Sequence, residues 1–170
     1  NLSKNPRSTV GTVTEIYDYL RLLFARVGKP HCPHCGKPIR AQTISQMVDQ
    51  IMTSPQETKI HILAPVIRRR KGIYQKELQQ FQKEGFVRVK IHGRVYQLAD
   101  AAFIHLDKNK KHDVDLFIDR LVVKRGAEQR LADSLQTALR YGEGAVKIEK
   151  LLRDGEEVEW LSEKSACVDC

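Results

Sequence analysis

The chain has 170 residues, and its 29 lysines and arginines against 21 aspartates and glutamates give a net charge of +8. It carries no apolar run long enough to cross a membrane and no signal-peptide pattern, so the composition predicts a cytoplasmic protein. The basic balance favours contact with nucleic acid or with an acidic protein face, and it does not choose between them.

The spacing of apolar residues predicts four helices and a set of short strands. Helices are indicated where apolar residues recur every three or four positions, and strands where β-branched residues cluster or alternate with polar ones. In chain order, the predicted elements are a helix over 12–27, a helix over 43–53, a strand over 59–67, a short helix over 74–84, strands over 86–91, 94–98 and 113–123, a helix over 127–141, and strands over 145–151 and 156–161.

Local signals mark several of these boundaries. Thr12–Glu15 and Thr43–Gln46 each have the capping-box pattern that opens a helix. His92-Gly93 is a two-residue turn that joins two strands. Basic loops are predicted over 68–72 and 108–112. This mixture of helices and hairpins predicts an α+β fold, with a small, largely antiparallel sheet and packed helices.

The four cysteines form two Cys-x-x-Cys pairs, Cys32 with Cys35 and Cys167 with Cys170. One tight turn at this spacing points both sulfurs at a single metal, and two such turns make a tetrahedral four-thiolate zinc site. Lysine–proline steps flank the first pair where a redox motif would need a strand and a helix, so zinc is favoured. The spacing leaves open whether the two pairs share one zinc or each needs further cysteines.

The sequence does not indicate a catalytic site. It contains no Gly-x-x-x-x-Gly-Lys-Ser/Thr phosphate loop. Asp113, Asp115 and Asp119 share one parity of a predicted strand, and paired carboxylates can hold magnesium. Acids that alternate with a buried stripe are more typical of a solvated face, so no catalytic residue is predicted.

Basic residues predict a docking surface, although a merely solvated face remains open. If Val89 and Ile91 face the core, Arg88 and Lys90 must project together from the other side. Arg120 falls on the apolar parity of its strand, where it would be a costly buried charge unless it pairs with an acid or opens onto a partner. The predicted partner-binding residues are Arg70, Lys71, Arg88, Lys90, Arg94, Lys110, Lys111 and Arg120.

Several stretches carry a likeness to a known family. The most specific is the run from Asn5 to Leu23, NPRSTVGTVTEIYDYLRLL. Others follow in order: CPHCGKPI at 32–39, APVI at 64–67 with RKG at 70–72, GFVRVKIHG at 85–93, KKHDV at 110–114 with DR at 119–120, and SEKSAC at 162–167. Together they resemble UvrA, the ATP-binding damage-recognition subunit of the bacterial UvrABC excinuclease.

The resemblance implies an insertion within the first ABC-type ATPase head. Residues 1–41 would flank the insertion, 42–125 would form an α+β UvrB-binding domain, and 126–170 would return to the head. In the family, the pair that matches Cys167 and Cys170 is completed by a further Cys-x-x-Cys downstream. The Walker motifs, and with them ATP, would belong to the full-length protein.

The implied function is nucleotide excision repair, with this module docking UvrB through a basic surface that meets acidic residues. The module itself would not be an enzyme. Duplex DNA would be a partner of the full-length protein, which is expected to be a homodimer. The alternative is a zinc-containing, DNA-contacting module in which the same cations hold duplex phosphates.

Overall fold

In the computed structural model of the chain, residues 14–36, 39–152, 155–165 and 167 are described. The described residues divide into two compact units, one that ends at Ile39 and one that begins at Arg40. Among the described helices, none has the length and apolar character needed to span a bilayer.

Amphipathic spacing produces four α-helices, and the predicted hairpins form where the sequence alternates. The helices are α1 (Ile16–Val27), α2 (Ile44–Met52), α3 (Gln75–Lys83) and α4 (Glu128–Tyr141), with a 3₁₀ helix over Leu98–Phe103. The strands are β1 (Lys59–Lys71), β2 (Arg88–Ile91), β3 (Arg94–Gln97), β4 (Lys111–Val122), β5 (Ala145–Leu152) and β6 (Gly155–Ser162).

The two predicted capping boxes have different outcomes. At α2, the Thr43 hydroxyl accepts a hydrogen bond from the Gln46 amide, and the Gln46 side chain accepts one from the Thr43 amide, as predicted. At α1, Glu15 has φ 56° and makes no side-chain cap, so the helix begins at Ile16. Thr12, the other half of that predicted box, lies outside the described residues.

The strands form one antiparallel sheet of six strands in the order β3-β2-β4-β1-β5-β6. The predicted α+β class with an antiparallel sheet is confirmed. Helices α2, α3 and α4 share one core cluster with the inner face of this sheet, which includes Met47, Leu78 and Leu135 from the helices and Ile62 and Leu116 from the strands. The opposite side of the sheet is called the outer face below.

Strand β1 is longer than predicted, because it continues through the stretch expected to be a basic loop. Arg70 pairs with His112 and Lys71 with Lys111, so these residues are part of the β1–β4 ladder. The register shifts between Ile67 and Arg70, and the ladder resumes beyond that irregularity.

A β-bulge in β4 changes which side chains face the core. Ile62 pairs with Asp119 and the next residue of β1, Leu63, pairs with Phe117, so Ile118 is an extra residue. Beyond a bulge, the alternation of side chains continues from a shifted position. Arg120 therefore pairs with His61 on the outer face and is exposed. The predicted apolar parity of Arg120 is wrong for this reason.

The segment after residue 125 adds α4, β5 and β6 to the same layers. Leu131, Leu135 and Ala138 of α4 lie in the core cluster with Val146 and Ile148 of β5. The predicted boundary between 125 and 126, which concerns the division between docking domain and ATPase head, stays a prediction.

The smaller unit contains α1 and the first cysteine turn. None of the residues of α1 is buried. After the helix, the Gly36 amide donates to the Cys32 carbonyl at 2.9 Å and closes the turn, where Gly36 has φ 70°. A positive φ of this size favours glycine, which adopts it without a steric cost.

Candidate functional site

The β2–β3 hairpin carries three of the basic residues predicted to contact a partner. Val89 and Ile91 are buried in the core. Alternation along β2 therefore sends Arg88 and Lys90 to the outer face, where both are partly buried. Arg94 is exposed at the start of β3.

Lys90 does not project into solvent. Its Nζ donates to both carboxylate oxygens of Glu149 in β5, at 2.8 and 2.9 Å. The two side chains are only 11% and 1% exposed. A carboxylate of β6, Glu156 Oε2, lies 3.6 Å from the same Nζ. The ammonium group of Lys90 is thus engaged within the sheet.

Further charged side chains on the outer face join this pair. Lys147 Nζ donates to Asp115 Oδ2 at 2.7 Å and lies 3.4 Å from Glu149 Oε1. His61 Nδ1 lies 3.7 Å from Glu149 Oε2. These residues, Lys90, Asp115, Lys147, Glu149 and His61, are called the outer-face network; they come from β2, β4, β5 and β1.

Burial and pairing set the protonation states in the outer-face network. Burial raises the pKa of Asp115, against the hydrogen bond from Lys147. Burial works to lower the pKa of Lys147, but the hydrogen bond to Asp115 and the negative charges of Asp115 and Glu149 together outweigh it, and the pKa is raised. Burial lowers the pKa of His61 despite the neighbouring Glu149. His61 is therefore neutral near pH 7, and its contact with Glu149 is not an ion pair.

Four of the predicted cations meet where β1 ends and β4 begins. Lys71 pairs directly with Lys111, and Arg70 lies one position away. Lys110 immediately precedes Lys111, and all four residues are exposed. Like charges in neighbouring strand positions repel one another, so this cluster favours an anionic group that would relieve the repulsion.

A hydrogen-bonded pair of histidines connects the β2–β3 turn with strand β4. His112 Nε2 lies 2.7 Å from the Asp107 carbonyl, which can only accept, so this nitrogen donates. His112 Nδ1 then accepts from His92 Nε2 at 2.8 Å. Both rings line a cavity of about 600 Å³ that the 3₁₀ helix also borders. The sequence did not single out this pair.

The outer-face network was also missed from the sequence, although part of its signal was present. In β5, Lys147 and Glu149 alternate with the buried residues Val146 and Ile148, which places the two charges on one face. Asp115 was expected on a solvated face, but it is 9% exposed. Pairing between β1 and β5 is what brings Glu149 beside His61.

Three of the four cysteines lie within the described residues. Cys32 is buried and Cys35 is exposed in the turn of the first unit, and Cys167 of the second unit is half-buried. Thiolates are ligands that zinc prefers, and zinc takes four of them in a closed structural site. Cys170, the fourth predicted ligand, lies outside the described residues.

Comparison with known proteins identifies the family. A family model described as the UvrA interaction domain matches residues 42–151. The chain is 57% identical over 168 residues to the UvrABC system protein A of Bacillus subtilis, 55% identical over 168 residues to that of Clostridium perfringens, and 53% identical over 165 residues to that of Methanothermobacter thermautotrophicus.

These three matches cover 99%, 99% and 96% of this chain, but only 17%, 18% and 17% of the relatives. The chain thus spans less than a fifth of the length of the curated relatives it matches. The resemblance to UvrA seen in the sequence is confirmed over nearly the whole chain. This chain belongs to the UvrA interaction domain family.

Proposed function

We propose that this chain is the module by which a UvrA-type protein docks UvrB during bacterial nucleotide excision repair. Its exposed cations would meet acidic residues of the partner. The module has no catalytic role in this proposal. ATP binding, duplex DNA binding and homodimerisation belong to the longer protein, which would act in the cytoplasm.

The observation that carries the proposal is the exposure of Arg120 on the outer face. The β-bulge at Ile118 turns this guanidinium away from the core. Within the described residues, neither Arg120 nor Arg94 forms an ion pair with a carboxylate. A planar guanidinium that is exposed and has no internal carboxylate is well suited to a bidentate contact with a partner's acid.

The cluster of Arg70, Lys71, Lys110 and Lys111 supports the same proposal, because it adds positive potential at one end of the sheet. Clustered cations attract an acidic protein face and speed its association, and salt weakens that attraction. The same chemistry would also attract the phosphates of duplex DNA, so the experiment must distinguish these two partners.

The test measures binding of UvrB and of duplex DNA to the 170-residue chain. Arg120→Glu is expected to weaken UvrB binding at least tenfold, because it replaces an attraction with a repulsion at the interface. Lys124→Glu is the matched control, since Lys124 is also exposed but lies two residues beyond the end of β4 at Val122. It should change UvrB affinity much less.

Equal UvrB affinity for the Arg120→Glu variant and the unchanged chain would show that the assigned surface is wrong. Tight duplex binding that falls steeply with salt, together with no capture of UvrB, would favour the DNA-contacting alternative. Circular dichroism of each variant checks that the fold is retained.

We also propose that zinc is bound through the two Cys-x-x-Cys pairs, Cys32 with Cys35 and Cys167 with Cys170. The support is the spacing within each pair and the preference of zinc for thiolate ligands. The purified chain is expected to bind zinc, and Cys32→Ser should lower its zinc content. If elemental analysis detects no metal in a chain reconstituted with zinc, the proposal is contradicted.

A further inference from the structure

The most deeply buried charge of the outer face is the Glu149 carboxylate. Its side chain is 1% exposed, and three nitrogen atoms, from Lys90, Lys147 and His61, lie within 3.7 Å of its oxygens. A carboxylate so thoroughly removed from water is stable as an anion only when cations and hydrogen bonds surround it. Glu149 therefore needs its lysines, and it also restrains them.

The ion pair between Lys90 and Glu149 spans the middle of the sheet. Strands β4 and β1 lie between β2 and β5. At the usual spacing of neighbouring strands, β2 and β5 are about 14 Å apart in a flat sheet. Two side chains that meet across such a gap must lie along the sheet surface, so the ammonium of Lys90 cannot also reach out to a docked protein.

The outer-face network carries no net positive charge. Lys90 and Lys147 are matched by Asp115 and Glu149, His61 is neutral near pH 7, and Glu156 adds a further negative charge beside Lys90. The exposed Arg94 and Arg120 lie outside this balance. The network therefore contributes little to the long-range attraction of an acidic partner. That attraction comes from the exposed arginines.

We propose that Glu149 is a positioning residue that holds Lys90 and Lys147 along the outer face, so that Lys90 braces the β2–β3 hairpin and does not contact the partner. This inference rests on the proposed docking function only for its binding readout. Its structural part, the coupling between Lys90 and Glu149, holds whether or not UvrB binds.

The structural test uses the 170-residue chain with Lys90→Met, Glu149→Gln and both changes together. Each single variant should lower the urea midpoint, because each leaves a buried charged or polar group without its partner. The fall in urea midpoint of the double variant should be smaller than the sum of the falls in the two single variants. Additive losses, or a Lys90→Met chain with an unchanged midpoint, would overturn the proposal.

A measurement on the unchanged chain guards against variants that fail to fold. Nitrogen-15 NMR of the lysine side chains should detect an ammonium at Lys90 whose protons exchange slowly with water. Lys90→Arg keeps the positive charge, so its urea midpoint should stay close to that of the unchanged chain. Fast exchange at Lys90, equal to that of the exposed Lys124, would contradict the inference.

The binding test compares how steeply UvrB affinity falls with salt. The double variant Lys90→Met/Glu149→Gln removes the pair without changing the net charge and should keep the slope of the unchanged chain, whereas Arg120→Met should make it shallower. Glu149→Gln should make it steeper, because it leaves Lys90 and Lys147 with uncompensated charge. A purely structural role for Glu149 would not steepen the slope.

A slope for the Lys90→Met/Glu149→Gln chain as shallow as that of Arg120→Met would show that Lys90 is a direct contact, which overturns the inference. If the unchanged chain does not bind UvrB, the proposed function fails, and the coupling of the urea midpoints still decides the role of Glu149.

Discussion

Two adjacent residues of β4, Asp119 and Arg120, face opposite sides of the sheet and have different environments. Asp119 Oδ1 and Oδ2 accept hydrogen bonds from Arg130 of α4, at 2.8 and 2.9 Å. The Ser134 hydroxyl adds a third, at 2.9 Å. Asp119 therefore ties the sheet to the helix that covers it, while Arg120 is left outside.

This arrangement predicts a pH dependence of stability. Burial alone would raise the pKa of Asp119, but the hydrogen bonds from Arg130, Ser134 and the Arg120 amide lower it below its ordinary value. A carboxyl whose pKa is depressed in the folded state stabilises the fold above its unfolded pKa, and this contribution is lost as the pH falls through the folded pKa.

The Asp119→Asn variant should therefore unfold more easily than the unchanged chain near pH 7. The difference in unfolding free energy should shrink as the pH falls below about 4, the ordinary pKa of aspartate. Urea titrations across this range check it, with Asp133→Asn, a change at an exposed aspartate of α4, as control. A difference that stays constant with pH would contradict the assignment.

At the scale of elements, the sequence predicted what is decided locally. Helical spacing, the Thr43–Gln46 capping box and the His92-Gly93 turn depend on neighbouring residues, and the structure has each of them. His92 and Gly93 have φ of 49° and 82°, as the tight hairpin turn requires. The bulge was not predictable in this way, because it exists only in the pairing of β4 with β1.

The elements after residue 125 are predicted to be necessary for folding. Removing them would take away buried residues of α4 and β5, among them Leu131, Leu135 and Ile148. Each such side chain contributes about 1.5–3 kcal/mol, against a total stability of about 5–15 kcal/mol for a typical domain.

A fragment of residues 40–125 should therefore be unfolded by circular dichroism, whereas a fragment of residues 40–165 should unfold cooperatively in urea. The longer fragment is the control, because it retains β5 and β6. Cooperative unfolding of the shorter fragment would instead favour a self-sufficient domain that ends near residue 125.

At the scale of the whole molecule, the strand order and the outer-face network could not be derived from one sequence. Lys90 and Glu149 lie 59 residues apart, and nothing local links them. They meet because β1 pairs with both β4 and β5. The net charge of +8 predicts an anionic partner, but it could not tell cations that serve the fold from cations left for a partner.

The extra residue in β4 has a consequence for how this family can vary in length. Omitting one residue of the bulge, Phe117 or Ile118, would convert it into a regular ladder and leave the remaining side chains of β4 on their present faces. A deletion in the regular part of the ladder would instead reverse the faces of the side chains beyond it. Homologous chains that are one residue shorter in this strand should therefore have lost their residue at the bulge, because no side chain of the ladder then has to change face.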